Sequence, residues 1–190
     1  MSGYIKKSNL ISGLIVAFFT FFIALLVSLG SEALVQAVNN VIVAVILLLF
    51  IIFLGIFFDI IGTAATAAEM PPFNARAAKK VFGAKQAVKL SGNADKVANF
   101  CNDVVGDIAG TLSGAIGAGI VISLAGEIDY VDLVLTGAVM TSMIAALTVG
   151  GKAIGKSIAL NNANSIIFKV AMIMAWVENF SGTELFENRK

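Results

Sequence analysis

Six charged residues lie close to or inside long apolar stretches, and their side chains are the ones that can do chemistry in this chain. They are Asp59, Glu69, Asp103, Asp107, Lys152 and Lys156. A charge near the bilayer core is costly, so such residues are candidates for an ion pathway or an internal ion pair. Asp103 and Asp107 are one helical turn apart and can face the same cavity. These charges therefore predict either a cation site or an ion pair.

A column of glycines accompanies the two acids. Gly106, Gly110 and Gly114 recur at every fourth residue, which places them along one face of a helix where neighbouring helices can approach closely. Asp103 also suits a helix N-cap, whereas Asp107 lies within the glycine column. We expect these three glycines to form a helix-packing face and Asp107 to be buried beside it.

Composition places the chain in a membrane. It is 58% hydrophobic and 13% charged, against roughly half and a quarter in soluble domains. A single cysteine, Cys101, excludes an intramolecular disulfide framework, and the lack of histidine excludes imidazole-based zinc sites and acid–base chemistry. The fold class predicted is therefore an all-α membrane protein, and we do not expect an enzyme.

Four uncharged stretches are long enough to cross a bilayer core, which needs about 20 residues in a helix. The uncharged stretches are Ser8–Ser31, Ala33–Phe58, Ile108–Gly126 and Leu133–Gly151. The transmembrane helices predicted around them are Leu10–Leu29, Val38–Ile60, Asp107–Leu124 and Tyr130–Val149. Lysines and arginines are confined to the N-terminus, the segment between the second and third helices, and the segment after the fourth, while the two remaining loops carry only acids. The positive-inside rule then predicts that both termini are cytoplasmic.

Two further segments are predicted to be helical. Residues 74–100 are rich in alanine and lysine, and their lysines are expected along anionic headgroups, with a solvated cytoplasmic loop as the alternative. Pro71-Pro72 should end the second helix before this segment. Asn161–Phe180 is apolar but contains Lys169, which favours an interfacial helix over a fifth span. Its apolar face is expected at Ile166, Val170, Ile173 and Val177, with Trp176 at the headgroup level.

The glycine-rich run Gly150–Ala159, GGKAIGKSIA, predicts a broken or kinked helix, because glycine is a poor helix former. Exposed backbone at a break is tolerated in a membrane where it lines a cavity. The spacing of Gly150–Ser157 also meets G-x-x-x-x-G-K-[ST], but a phosphate-binding loop follows a strand, and this run follows a membrane helix. Nucleotide binding is therefore not expected.

The same run resembles a known family signature. Gly151–Ala159, GKAIGKSIA, is similar to the GEILPKSIA-like signature in the transmembrane domain of CNNM/CorC proteins, a family of magnesium and cobalt transporters. Gly62–Ala67 resembles that family's S-G-x-E-T-A segment, and Gly83–Asp95 resembles its pattern G-x-K-x-A-x-x-L-x-x-N-P-D. Gly106-Asp107 falls where the family has Gly-Asn. The resemblance covers about residues 40–180 and rests on the order and spacing of these motifs.

In the family, the cation is held by a hydroxyl and an acid of the first shared helix, an Asn of the second and a Gly-Glu of the third. Here Ala65 stands at the position of that first acid, and a shift of one turn brings in Glu69. Asp107 replaces the Asn, Lys152 replaces the Glu and Gly155 replaces the signature proline. The cation-pocket candidates are therefore Thr63, Thr66, Glu69, Asp103, Asp107, Gly151 and Lys152, with Asp107 and the Gly151 carbonyl as metal ligands.

Lys152 decides between two functions. An ammonium about 4 Å from a cation opposes it by about 4 kcal/mol per unit charge at an effective dielectric of roughly 20. If Lys152 reaches the interface, the resemblance implies divalent-cation transport of the magnesium type, with Mg²⁺ as the bound ion. If Lys152 points inward, an Asp107–Lys152 pair replaces the cation in a non-transporting structural or partner-binding membrane protein.

Three segments are expected: an extra transmembrane helix with its outer loop at 1–37, a CNNM/CorC-like transmembrane domain at 38–180, and a tail at 181–190. The sequence has no counterpart of the family's cytoplasmic CBS domains. The expected partners are the lipid bilayer, a second copy of the chain in a homodimer, and a cytoplasmic or membrane protein. Nucleic acid is not among them.

Overall fold

The computed structural model describes residues 7–38, 40–127 and 132–182, and this part of the chain consists of helices joined by short turns, without a strand. The helices in chain order are α1 (Lys7–Val38), α2 (Val41–Ala67), α3 (Met70–Ala78), α4 (Ala84–Gly92), α5 (Ala94–Ala98), a π-helix (Asn99–Val105), α6 (Gly106–Glu127), α7 (Leu133–Asn161) and α8 (Ala163–Ser181).

Within the described residues, four helical stretches are long and apolar enough to cross a membrane. They are Gly13–Gly30, Val41–Ala67, Ala94–Gly126 and Leu133–Asn161. These stretches correspond to the four predicted from sequence, so the prediction of an all-helical chain with four apolar helices of spanning length is confirmed. The predicted C-terminal ends of these helices were placed too early, because the helices continue past the apolar core into residues that tolerate water.

Side-chain caps define where two of these helices begin. The Asn40 side chain accepts a hydrogen bond from the Ile42 amide, so α2 starts at Val41 rather than at Val38. Asp132 accepts from the amides of Val134 and Leu135, and α7 starts at the next residue, Leu133. The predicted start at Tyr130 lies outside the described residues.

α7 passes through the glycine-rich run without interruption, so the prediction of a break between Gly150 and Ala159 was wrong. Packing explains the glycines instead. A Cβ on Gly155 would lie 2.8 Å from Cγ1 of Ile60, and one on Gly151 would overlap the end of Ile56, both on α2. The two glycines therefore let α7 lie close against α2, and that contact outweighs glycine's poor helix propensity.

The segment between α2 and α6 is helical, as predicted, but in shorter pieces. α2 ends at Ala67, and the two prolines lie in the first turn of α3. Residues 79–83 separate α3 from α4, and Gly83 takes the left-handed conformation with φ of 79°. Lys89 is buried rather than lying along headgroups, which corrects the expectation for this one of the segment's lysines.

α8 packs on the rest of the chain through a face other than the apolar face that was predicted for the membrane interface. Its buried side includes Ala163, Ile167, Ala171, Met174 and Glu178. In the expected apolar face Ile166 and Val170 are half-buried, whereas Ile173 and Val177 are exposed, as is Trp176. The face at Ile173, Trp176 and Val177 is thus apolar and open.

α2 joins two hydrophobic cores. Its first half packs with α6 around Leu48, Ile52 and Leu112, with Ile144 contributed by α7. Its last turns pack with α3, α4 and α8 in a second core that contains Phe73. Asp59 lies on α2 between these two cores, one turn before Gly62.

The glycine column on α6 does not form one packing face. Gly106 is buried, but Gly110 and Gly114 are exposed, and a Cβ on either would meet no atom within 4 Å. Four residues turn a helix by about 400°, so each step of the column rotates it by a further 40° or so. By Gly114 the column has turned away from the neighbouring helices. The predicted packing role of Gly110 and Gly114 therefore does not hold within one chain.

Gly117 takes that packing role, and this can be tested by a matched pair of variants. A Cβ on Gly117 would lie 2.5 Å from Cδ1 of Ile144 and 3.3 Å from Cγ of Met140 on α7. We expect Gly117→Leu to lower stability by about 1–3 kcal/mol through overpacking. Gly114→Leu, on the same helix in open space, should be nearly silent. The measurement is thermal unfolding of both in detergent, and equal losses would contradict the packing found here.

Candidate functional site

An ion pair joins two of the apolar helices. Lys152 Nζ of α7 lies 3.3 Å from Oδ1 of Asp59 on α2, with 28% of the lysine side chain and 10% of the aspartate side chain exposed. Asp59 lies 18 residues after the start of α2, about 27 Å along it. A buried carboxylate within an apolar helix needs a counter-charge, and the close α2–α7 contact places the ammonium there.

Asp59 is only partly satisfied by this pair. Its second oxygen, Oδ2, is buried and has no hydrogen-bond partner. A buried carboxylate ordinarily uses both oxygens as acceptors, and an oxygen without a donor carries its full desolvation cost. Oδ2 is therefore available as a ligand for a further positive group.

A second buried acceptor without a donor lies against Gly62, one turn further along α2. Oδ1 of Asn102 is buried without a hydrogen-bond partner, and its amide group rests directly on Gly62, where a Cβ would overlap Oδ1. Gly62 follows Asp59 by one turn of α2, so the two positions face the same side. The absence of a side chain at Gly62 thus lets the Asn102 amide approach α2 next to Asp59.

The π-helix supplies Asn102, and Gly106 ends it. The Gly106 amide donates to the carbonyl of Cys101, five residues back, before α6 resumes the ordinary pattern. A Cβ on Gly106 would lie 3.4 Å from Lys152 Nζ, so this glycine leaves room for the ammonium. Wide π-turns inside apolar helices occur frequently at functional sites.

These contacts define one site, formed by Asp59 and Gly62 of α2, Asn102 and Gly106 at the π-helix, and Lys152 of α7. It contains one carboxylate, one ammonium and two buried oxygens without donors. Such a set can hold a cation or a proton donor between the helices.

Of the residues expected in the pocket, Lys152 is the one that contacts Asp59 and Gly106 directly in the described part of the chain. Asp107 is exposed on α6 and forms no ion pair with Lys152, whose partner is Asp59; the expected Asp107–Lys152 pair is therefore wrong. Gly151 lies within the unbroken α7, where a Cβ would overlap the end of Ile56, and its carbonyl as a metal ligand stays a prediction. Asp103 is exposed as well.

The three expected ligands near the end of α2 have other surroundings. Thr63 is half-buried one turn after Asp59. Thr66 is exposed, and its hydroxyl donates to the Thr63 carbonyl. Glu69 is exposed beyond the end of α2, where its amide donates to Oδ1 of Asn164. Within the described residues, no three His, Cys, Asp or Glu side chains come together as a metal-binding group.

Sequence reasoning included Asp59 among the charges near the membrane but did not place it in the pocket, and it missed Asn102. A usable signal existed for Asp59, which is the one acid flanked by apolar residues within α2. For Asn102 there was none, since a polar residue next to Asp103 is typical of a headgroup-level turn. Its burial depends on contact with Gly62, 40 residues earlier.

Comparison with known proteins found no match to a protein-family model, a curated protein or a solved structure. The CNNM/CorC resemblance therefore stays a prediction.

Proposed function

We propose that this chain is a cation-transport protein of the membrane, and that Asp59 and Asn102 provide the oxygen ligands for the transported ion. The observation that carries the proposal is a buried carboxylate in an apolar helix with one oxygen on Lys152 and the other without a partner. Ionisable groups inside a membrane bundle are costly, and a transport pathway is a common reason for keeping them.

The donor set supports a cation rather than an anion. Carboxylate and amide oxygens bind hard cations, and both unpartnered atoms of the site are oxygens of this kind. The CNNM/CorC resemblance implies an acid from the first shared helix, an Asn from the second and a Gly from the third. In the register of that resemblance Ala65 and Asp107 stand at the acid and Asn positions, so Asp59 and Asn102 enter the proposal from the geometry of the site, with Mg²⁺ as the ion that the resemblance implies.

The remaining parts of the proposal concern placement in the membrane. Basic segments favour a cytoplasmic location for both termini. Exposure of Ile173, Trp176 and Phe180 on α8, with stacked rings at Trp176 and Phe180, supports an interfacial position for that helix. We also propose a homodimer, as the resemblance implies.

A second candidate function follows from the same ion pair. If the Lys152 ammonium never leaves Asp59, the pair only fixes α7 against α2, and the chain acts as a structural or partner-binding membrane protein. The 3.3 Å separation of the two charges favours this alternative. Transport measurements separate the two functions.

The test is cation flux in liposomes that contain the purified chain and a fluorescent indicator for Mg²⁺, Na⁺ or K⁺. The intact chain should carry at least one of these ions, and Asp59→Asn should reduce that flux at least tenfold because the ion loses its only carboxylate in the site. Asp103→Asn, an exposed control on the π-helix, should keep the flux. Folded protein that carries none of the three ions would support the structural alternative.

A further inference from the structure

The charge of the site bears on the class of cation that it can take. Asp59 contributes one negative charge and Lys152 one positive charge, so the site is neutral as it stands. Asp103 and Asp107 are exposed on the π-helix and α6, and they add no carboxylate to the buried set. A buried site of low dielectric strongly disfavours any net charge.

This neutrality discriminates between ions. A monovalent cation that replaces the Lys152 ammonium leaves one positive charge against one carboxylate, and the site stays neutral. A divalent cation that replaces the ammonium gives the site a net charge of plus one. A divalent cation that binds while the ammonium remains gives it a net charge of plus two. Only the exchange of the ammonium for a monovalent ion preserves the charge that the helices bury.

Lys152 has room to leave. More than a quarter of its side chain is exposed, and it lies in the last third of α7, where a long flexible stem can carry the ammonium to the interface. Gly106 leaves open space beside Nζ, and Lys156, one turn further along α7, is already exposed. When the ammonium withdraws, both oxygens of Asp59 and Oδ1 of Asn102 are free to bind an ion.

We infer that the site takes a monovalent alkali cation, which replaces the Lys152 ammonium on Asp59 one for one. This inference rests on the proposed transport function and makes the transported ion monovalent, in place of the Mg²⁺ that the CNNM/CorC resemblance implies. Lys152 acts as a resident counter-cation, which fills the site between ions and disfavours divalent ions by its charge. It is a positioning and specificity residue rather than a ligand.

The test is the thermal unfolding midpoint of the purified chain in detergent, titrated with NaCl, KCl, MgCl₂ and CaCl₂ at constant ionic strength set with choline chloride. The unfolding midpoint of the intact chain should rise with NaCl or KCl and then level off. The concentration that gives half of this rise should be at least tenfold lower than the concentration of MgCl₂ or CaCl₂ that raises the midpoint at all. Lys152→Gln should bind the monovalent ion at least tenfold more tightly and should gain a response to MgCl₂. Lys156→Gln, the exposed control, should behave as the intact chain.

The outcomes that oppose the inference can be told apart. Divalent binding by the intact chain as tight as monovalent binding would overturn it and leave cation transport standing. Equal monovalent affinity in the intact chain and Lys152→Gln would show that the ammonium does not compete, and would also overturn it. No response to any salt in the intact chain and in Lys152→Gln, with both folded, would overturn the monovalent site and the proposed function together.

Discussion

Lys152→Met should lower the free energy of unfolding by about 3–5 kcal/mol, because it leaves the buried Asp59 carboxylate without its counter-charge. Asp59→Asn should cost less, since the ammonium that it leaves behind is 28% exposed and can extend toward water. The double variant should lose clearly less than the sum of the two single losses. Unfolding in mixed micelles measures all three.

The matched control uses the acid that sequence reasoning paired with Lys152. Asp107→Asn alone should be nearly silent, because Asp107 is exposed. The stability loss of the double variant Asp107→Asn/Lys152→Met should equal the sum of the two single losses to within about 0.5 kcal/mol, as is usual for independent sites. If the losses of Asp107→Asn and Lys152→Met were not additive, while those of Asp59→Asn and Lys152→Met were, the ion-pair partner of Lys152 would be Asp107 rather than Asp59.

Gly155→Leu should cause the second large loss. A Cβ at this position already falls 2.8 Å from Cγ1 of Ile60 and 3.6 Å from Cγ2 of Ile56, so a leucine must push α7 away from α2. The cost of overpacking is about 1–3 kcal/mol, and the wider spacing also weakens the ion pair between these helices. The loss of stability can be measured by thermal unfolding in detergent and by the yield of folded protein after purification.

Gly150→Leu provides the control on the same turns of α7. Gly150 is exposed, and a Cβ there meets nothing within 4 Å. Replacing a helical glycine also gains up to about 1 kcal/mol of helix propensity, so this variant should be neutral or slightly stabilised. If Gly150→Leu and Gly155→Leu lost stability equally, the glycines of this run would be needed for the backbone conformation of α7 rather than for its contact with α2.

Sequence by itself determined the all-helical fold class and the number of apolar helices that are long enough to span a membrane. Both depend on composition and on the length of apolar runs, which are local properties of the chain. It also indicated that charges at the ends of these helices matter, Asp59 and Lys152 among them. The glycine-rich run of α7 shows the limit of local reasoning, because propensity predicted a break where contact with α2 holds the helix intact.

Only the tertiary structure decided which acid meets Lys152 and that Asn102 belongs to the site. The choice between Asp59 and Asp107 depends on how α2 and α6 are rotated about their axes when they pack against α7. The π-helix before α6 affects that rotation, since one extra residue in a turn rotates every later side chain by roughly 100°. The position of the π-helix depends on contacts between residues far apart in the sequence, such as that of Asn102 with Gly62. A local pattern of apolar and polar residues cannot predict such contacts.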